Sequence, residues 1–208
     1  MPPRLWRRPE ISESASEVER IAFFSDAVFA IAITLLVVEL SVPEEPLADL
    51  SAALWERAPK FFAFVLSFLV IGQYWITHHR MFRHVRRYDQ ILMWLNLVYL
   101  LGVAFLPFPT ALLGNYFSSP MVGLIYGLSL FAPSTLSAAL WHYAKHRSLL
   151  DDISPALQRE IQLKTLATPV VFLLGAGAAL IHIYLSVACW LVLLPLVRLL
   201  VRVRPAGA

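Results

Sequence analysis

The sequence is poor in charge and almost without cysteine. Only 15% of its 208 residues are Asp, Glu, Lys or Arg, against about 25% in soluble domains. That is too little charge to cover a water-exposed globule. Cys189 is the one cysteine, so an intrachain disulfide is excluded and the redox compartment cannot be read. No H-E-x-x-H or comparable ligand spacing occurs among the six histidines. His78 and His79 are neighbours and cannot face one site from a regular helix. His84, His142, His146 and His182 fall in or near expected turns, and Cys189 sits in an apolar run without a base nearby. An enzyme or a metal protein is therefore not expected. The net charge of +3 is modest and reads as membrane topology, with no basic cluster suited to nucleic acid. Internal repeats, low-complexity tracts and a separate soluble domain are missing as well.

What the chain does have is apolar runs, within a composition that is 59% hydrophobic. Six of them, at about 20–40, 60–79, 90–113, 121–143, 165–181 and 184–201, are read as membrane helices. At ~1.5 Å per residue, about 20 residues cross a hydrocarbon core of ~30 Å. The expected fold class is an all-α polytopic membrane protein of six transmembrane helices. Residues 1–19 are expected as a charged N-terminal segment, 20–203 as the membrane domain and 204–208 as a tail. The first run is too long for a signal-peptide core and lacks a small-residue cleavage site, so no cleavable leader is expected. Ser16 and Glu19 stand at the spacing of a capping box. Pro107 and Pro109 are expected to kink or end the third helix, Pro133 to bend the fourth, and G-A-G-A-A in the fifth to permit close packing. The stretch from Lys145 to Lys164 reads as a connector with helical character.

Charge tests the count of six. With six helices, every basic residue except Arg57 and Lys60 falls at one end of the bundle, including Arg4, Arg20, Arg80, Arg87, Lys145, Lys164 and Arg204. By the positive-inside rule, that end and both termini are cytoplasmic. An odd number of helices would scatter the pattern.

Polar residues inside the runs are the next anomaly. Asp26 lies six residues past Arg20, or about 9 Å along a helix, and Asn96 lies six past Gln90. Ser25, Gln73, Trp75 and His78 or His79 come to a similar depth from the same end. Ionisable groups within a membrane are functional candidates, and buried polar groups need partners. Two readings stay open: a hydrogen-bonded lock between the first three helices, which is the weightier, and a proton or substrate site.

The start of the first helix, with Arg20, Phe24, Ser25 and Asp26 in the pattern R-x-x-x-F-S-D, resembles the signature of the transmembrane protein 175 family of potassium channels. A-V-F-A-I-A-I-T-L-L after it, Y-W-I-T-H-H-R-M-F in the second helix and W-L-N-L-V-Y-L in the third resemble that family too. The resemblance implies a potassium-permeable channel whose pore is lined by the first helix, with bulky apolar side chains at the constriction. Carried over by distance from Asp26, it implies Ile31 at the neck, Leu35 and Val38 on the same face, and Thr34 beside them offering a hydroxyl. It also implies a homotetramer with the first helix innermost, since one pore helix cannot enclose a pore. The permeant ion it implies is potassium, with other monovalent cations left open, and no cofactor is expected. No T-V-G-Y-G-like filter occurs, which fits an apolar neck better than a carbonyl-lined one. Glu39, with Glu44, Glu45, Asp49 and Glu56 after it, is a candidate for drawing cations to the outer mouth.

The expected setting is the lipid bilayer, and the plasma membrane if the source is bacterial. The main rival is a proton-coupled transporter or proton-conducting protein using Asp26 and a histidine. Transporter sites favour interrupted helices, and residues 20–40 contain neither glycine nor proline.

Overall fold

The computed structural model describes residues 15–43, 46 and 48–201, with the side chains of Ala15, Ser16 and Arg198 outside the description. Arg4, Arg204, Glu44, Glu45 and the expected tail at 204–208 therefore lie outside the described residues. The elements are α1 (Ala15–Leu35) continued by a 3-10 turn (Leu36–Glu39), α2 (Leu50–Glu56), α3 (Ala58–Phe82), α4 (Gln90–Phe105), α5 (Pro107–Asn115), α6 (Pro120–His146), α7 (Pro155–Ala179) and α8 (Ile183–Leu200). Among the described residues, five spans are long and apolar enough to cross a membrane: Glu17–Glu39, Ala58–Phe82, Gln90–Asn115, Pro120–His146 and Pro155–Ala179. A sixth apolar helix, Ile183–Val197, is shorter.

Side-chain and backbone chemistry sets these boundaries. At the start of α4, Asp89 caps the helix, its carboxylate accepting the Leu92 amide at 2.9 Å. At Pro107 the third helix is interrupted, as expected, although the span continues: α4 ends at Phe105 and α5 starts at Pro107. The chain passes from α4 to α5 through Leu106, whose backbone stays helical (φ −58°, ψ −30°). Proline at the first helical position is compatible with a helix, since that N–H has no intrahelical partner. Two expected boundaries are corrected. The first helix is already formed at Ala15, ahead of Ser16. The fifth span begins at Pro155, ten residues before the expected start, because Ser154 accepts the Leu157 amide at 3.3 Å and Pro155 opens the turn.

The spans run alternately up and down. At the basic end, the α3–α4 and α6–α7 connections pair: Arg86 and Arg87 amides donate to the Leu149 carbonyl, and Asp151 donates to that of His84 at 2.8 Å. Arg86 and Asp151 also form an ion pair. α6 closes with Ser148 in the left-handed region (φ 55°), where the Leu149 amide reaches back to Ala144.

α6 is central to the bundle, packing on α4 and α5 as well as on α7. α6, α7 and α8 form one tightly packed set, and α1 lies against α3 and α4. Close approach between α6, α7 and α8 depends on missing side chains. A Cβ on Gly175 would lie 1.9 Å from Trp190 Nε1, and one on Gly127 2.6 Å from the Ala176 Cβ. Gly177, two residues along, faces open space. Within α6, Pro133 has no N–H, so the Ser129 carbonyl four residues earlier loses its usual helical donor. The Leu130 carbonyl, three residues before Pro133, takes a hydrogen bond from the Tyr74 hydroxyl at 2.5 Å.

Candidate functional site

α1 has two faces of different character. Val18, Ser25, Phe29, Ala32 and Leu36, spaced seven, four, three and four apart, are buried against α3, α4 and the α5 region. Ser25 is the polar member of this row. Its hydroxyl donates to the Ile21 carbonyl at 2.8 Å and accepts from Asn96 Nδ2 on α4 at 3.0 Å. Asn96 Oδ1 faces His78 Nε2 of α3 at 2.9 Å, so with the amide in this orientation the imidazole donates. Ser25, Asn96 and His78 are all buried. One amide thus joins three helices. Aromatic rings enclose the imidazole: Phe82 stacks at 4.2 Å between centroids, while Tyr99 and Phe29 stand at 5.6 Å.

Asp26 is not part of that chain. It is turned 100° from Ser25, half-buried, and accepts from Trp75 Nε1 of α3 at 2.9 Å. This second tie joins α1 and α3 at the edge of the contact. Arg20 and Phe24 are exposed and border a cavity of about 350 Å³ with Asn96, Tyr88 and Glu17. Gln73, expected in one layer with Asn96, stands on a different face of α3 from His78. It is five residues from His78 and so about 140° round the helix, bonding Thr77 at 3.2 Å on its own helix. His79 is exposed and lies beside the Trp75 ring. Of the two histidines, only His78 enters the buried chain.

The opposite face of α1 is uncovered. Phe24 (53% exposed), Ile31 (59%), Leu35 (47%) and Val38 (71%) lie along it, together with Ala27 and Thr34. Thr34 donates its hydroxyl proton back to the Ala30 and Ile31 carbonyls, both at 2.9 Å. Its oxygen lone pairs are left pointing away from those bonds. In its most apolar window, α1 is 22% buried, against 33 to 44% in the other long spans. At its far end, Glu39 is exposed and borders a small cavity with Lys60, Thr110 and Asn115.

The family model for the endosomal/lysosomal potassium channel TMEM175 matches residues 20–107. A potassium channel of Streptomyces collinus is 41% identical over 145 residues, covering 65% of this chain and 69% of its own. A potassium channel of Chamaesiphon minutus is 35% identical over 189 residues, covering 86% and 92% respectively. This chain belongs to the TMEM175 family. The crystal structure of a TMEM175 homolog from Chamaesiphon minutus superposes with a TM-score of 0.78 at 33% identity, over 90% of this chain and all of that one. The residues matched by the TMEM175 model run from α1 into α5 and contain every member of the Ser25–Asn96–His78 chain and the Asp26–Trp75 pair.

Two polar centres escaped the sequence reading. Asp89 is buried, and besides its capping bond it accepts from the Tyr143 hydroxyl at 2.6 Å and pairs with Arg147 at 3.6 Å. Its position just before an apolar run was a legible capping signal. Its two partners from α6 and the following turn were not legible. Nearer the other end, Thr110 donates to Ser67 at 2.7 Å, and Ser67 lies 2.9 Å from the Tyr126 hydroxyl. A lone hydroxyl in an apolar helix carries no sequence signal of its partner.

Proposed function

We propose that this TMEM175-family chain is the subunit of a potassium channel that conducts passively through a pore lined by α1. The family relationship supports the permeant ion. The observation that carries the pore reading is the uncovered face of α1, whose buried side is fixed by Ser25, Phe29, Ala32 and Leu36 while Ile31, Leu35 and Val38 are left without cover in the single chain. Four copies arranged about an axis would bring these faces together, and closed cyclic symmetry supplies such an arrangement.

In that assembly Ile31, Leu35 and Val38 form an apolar neck. A narrow apolar neck gates by losing its water, and an ion passing it gives up hydration. Potassium holds its water less tightly than sodium, so such a neck passes potassium more readily. Thr34, with its proton turned back into the helix, offers an oxygen to the passing cation. Asp26 is occupied by Trp75 and Ser25 by Asn96, so these two position α1, while its apolar residues and Thr34 face the ion. By the positive-inside rule the basic end is cytoplasmic, which places Glu39 at the outer mouth of a cell-membrane channel, where its charge attracts cations.

The test is current through the purified protein in a planar bilayer, with opposed potassium and sodium gradients and a separate pH gradient. Passive current reversing near the potassium equilibrium potential supports the reading. Reversal that follows the pH gradient, or saturable uptake coupled to a second ion, would replace it with a proton pathway or a carrier.

A further inference from the structure

A cavity of about 520 Å³ lies at the basic end, between α3, α7 and α8 and on the far side of α3 from α1. Its volume is within the range of sites that hold small molecules. Arg80, Arg83 and Lys164 stand around it. Lys164 is paired with Glu160 one turn earlier on α7, so one positive charge is already matched. Arg80 and Arg83 are exposed and make no ion pair among the described residues. Counting Arg80, Arg83 and Lys164 against Glu160, the cavity has a formal surplus of two positive charges. Below the charges, Thr77 and Thr168 supply hydroxyls. Thr77 donates to the Gln73 carbonyl and accepts from Gln73 Nε2, while Thr168 donates to the Lys164 carbonyl, which leaves one acceptor site on Thr77 and two on Thr168 for a donor such as a glycerol hydroxyl.

The rim decides between a soluble anion and a lipid. Ile76 is 37% exposed and Leu199 68% exposed, and both line the cavity. Ile76 lies in the apolar span Ala58–Phe82, and Leu199 lies near the end of α8. A site for a free anion is lined by polar groups, whereas exposed apolar side chains line part of this one. Basic pockets between membrane helices at the cytoplasmic side suit anionic lipid head groups.

We propose that this cavity binds the head group of an anionic glycerophospholipid, its phosphate against Arg80 and Arg83 and its acyl chains along Ile76 and Leu199. The site is separate from α1 and does not depend on how the ion passes.

Native mass spectrometry of the purified protein tests it, with phosphatidylglycerol and phosphatidylcholine of the same chains titrated in parallel. Phosphatidylglycerol adducts are expected at concentrations at least tenfold lower than phosphatidylcholine adducts. The double variant Arg80→Gln/Arg83→Gln is expected to remove that preference, and Thr168→Phe, which fills the cavity without changing charge, is expected to weaken it. Arg87→Gln/Arg159→Gln, the same loss of charge at the same end but off the cavity, is expected to retain it. Equal loss in both double variants would mean diffuse attraction to the basic end and would overturn the site. Displacement of the lipid by inorganic phosphate at matched concentration would mean a soluble-anion site and would overturn the lipid assignment.

Discussion

Asn96 of α4 donates to Ser25 of α1 at 3.0 Å and at the same time accepts from His78 of α3 at 2.9 Å. One side chain therefore fixes the rotation of α1 relative to both neighbours. Rotation matters because it decides which residues of α1 are left on the uncovered face. Asn96→Leu keeps the approximate size, strands the buried His78 N–H and removes both bonds. A buried polar group left without its partner costs about 1–3 kcal/mol. Ser25→Ala removes one interhelical bond, worth about 0.6 kcal/mol in membrane proteins. Thermal unfolding in detergent should therefore rank Asn96→Leu well below Ser25→Ala, and Ser25→Ala slightly below the parent. Equal melting temperatures for all three would mean the chain contributes nothing to holding the helices.

The glycines of α7 give a sharper contrast, since two of them sit two residues apart with different surroundings. Gly175→Ala drives a methyl group into the Trp190 indole, at 1.9 Å from Nε1. Overpacking of this kind costs about 1–3 kcal/mol. Gly177→Ala meets nothing within 4 Å and lowers the entropy of the unfolded chain, so it should be neutral or stabilising by up to about 1 kcal/mol. The same unfolding measurement checks both, and a Gly175→Ala variant as stable as Gly177→Ala would show that α7 and α8 are not in this close contact.

How far these relationships were legible depends on their range. The count of spans and the depth of Ser25, Asn96 and His78 follow from apolar length and from a fixed rise per residue, both local properties. The azimuth of Gln73 did not follow from depth: the same rise per residue that puts it near Asn96 also turns it about 140° away from His78. Hydropathy likewise marked the apolar part of α7, from Thr165; the ten residues before it, read only as a connector with helical character, join the same helix through the Ser154 cap and Pro155. Ser67, Thr110 and Tyr126 come from three different helices, and no pattern within one helix announces such a meeting. The uncovered stripe of α1 was placed by resemblance to the family. Periodicity alone would have assigned the same stripe to lipid or core.

That stripe can be tested for its neighbours directly. The chain has a single cysteine, Cys189, so a Cys189→Ser background reports only on an introduced thiol. Disulfide formation requires Cβ atoms about 3.5–4.5 Å apart. If α1 helices surround a common axis, Val38→Cys should form a covalent dimer on mild oxidation, seen on a denaturing gel. Leu101→Cys, on an α4 position that is 70% exposed, should stay monomeric. Efficient cross-linking at Leu101 and none at Val38 would move the subunit contact to α4 and leave α1 facing lipid.

The last test concerns selection at the neck. An apolar ring holds back ions because water leaves a narrow hydrophobic passage, and an ion cannot cross without its water. Ile31→Asn puts a hydrogen-bonding amide in that passage and keeps water in it. The barrier then falls for every cation, and it falls further for sodium, which had more hydration to lose. Current should rise and the potassium-over-sodium ratio should drop severalfold toward one, read from the shift of the reversal potential under bi-ionic conditions. Leu35→Asn should act in the same direction. Leu101→Asn carries a similar cost of placing an amide at an exposed apolar position and should leave the ratio unchanged. A well-folded Ile31→Asn protein with parental current and selectivity would place the constriction away from Ile31, and the same result at Leu35 and Val38 would remove it from α1 altogether.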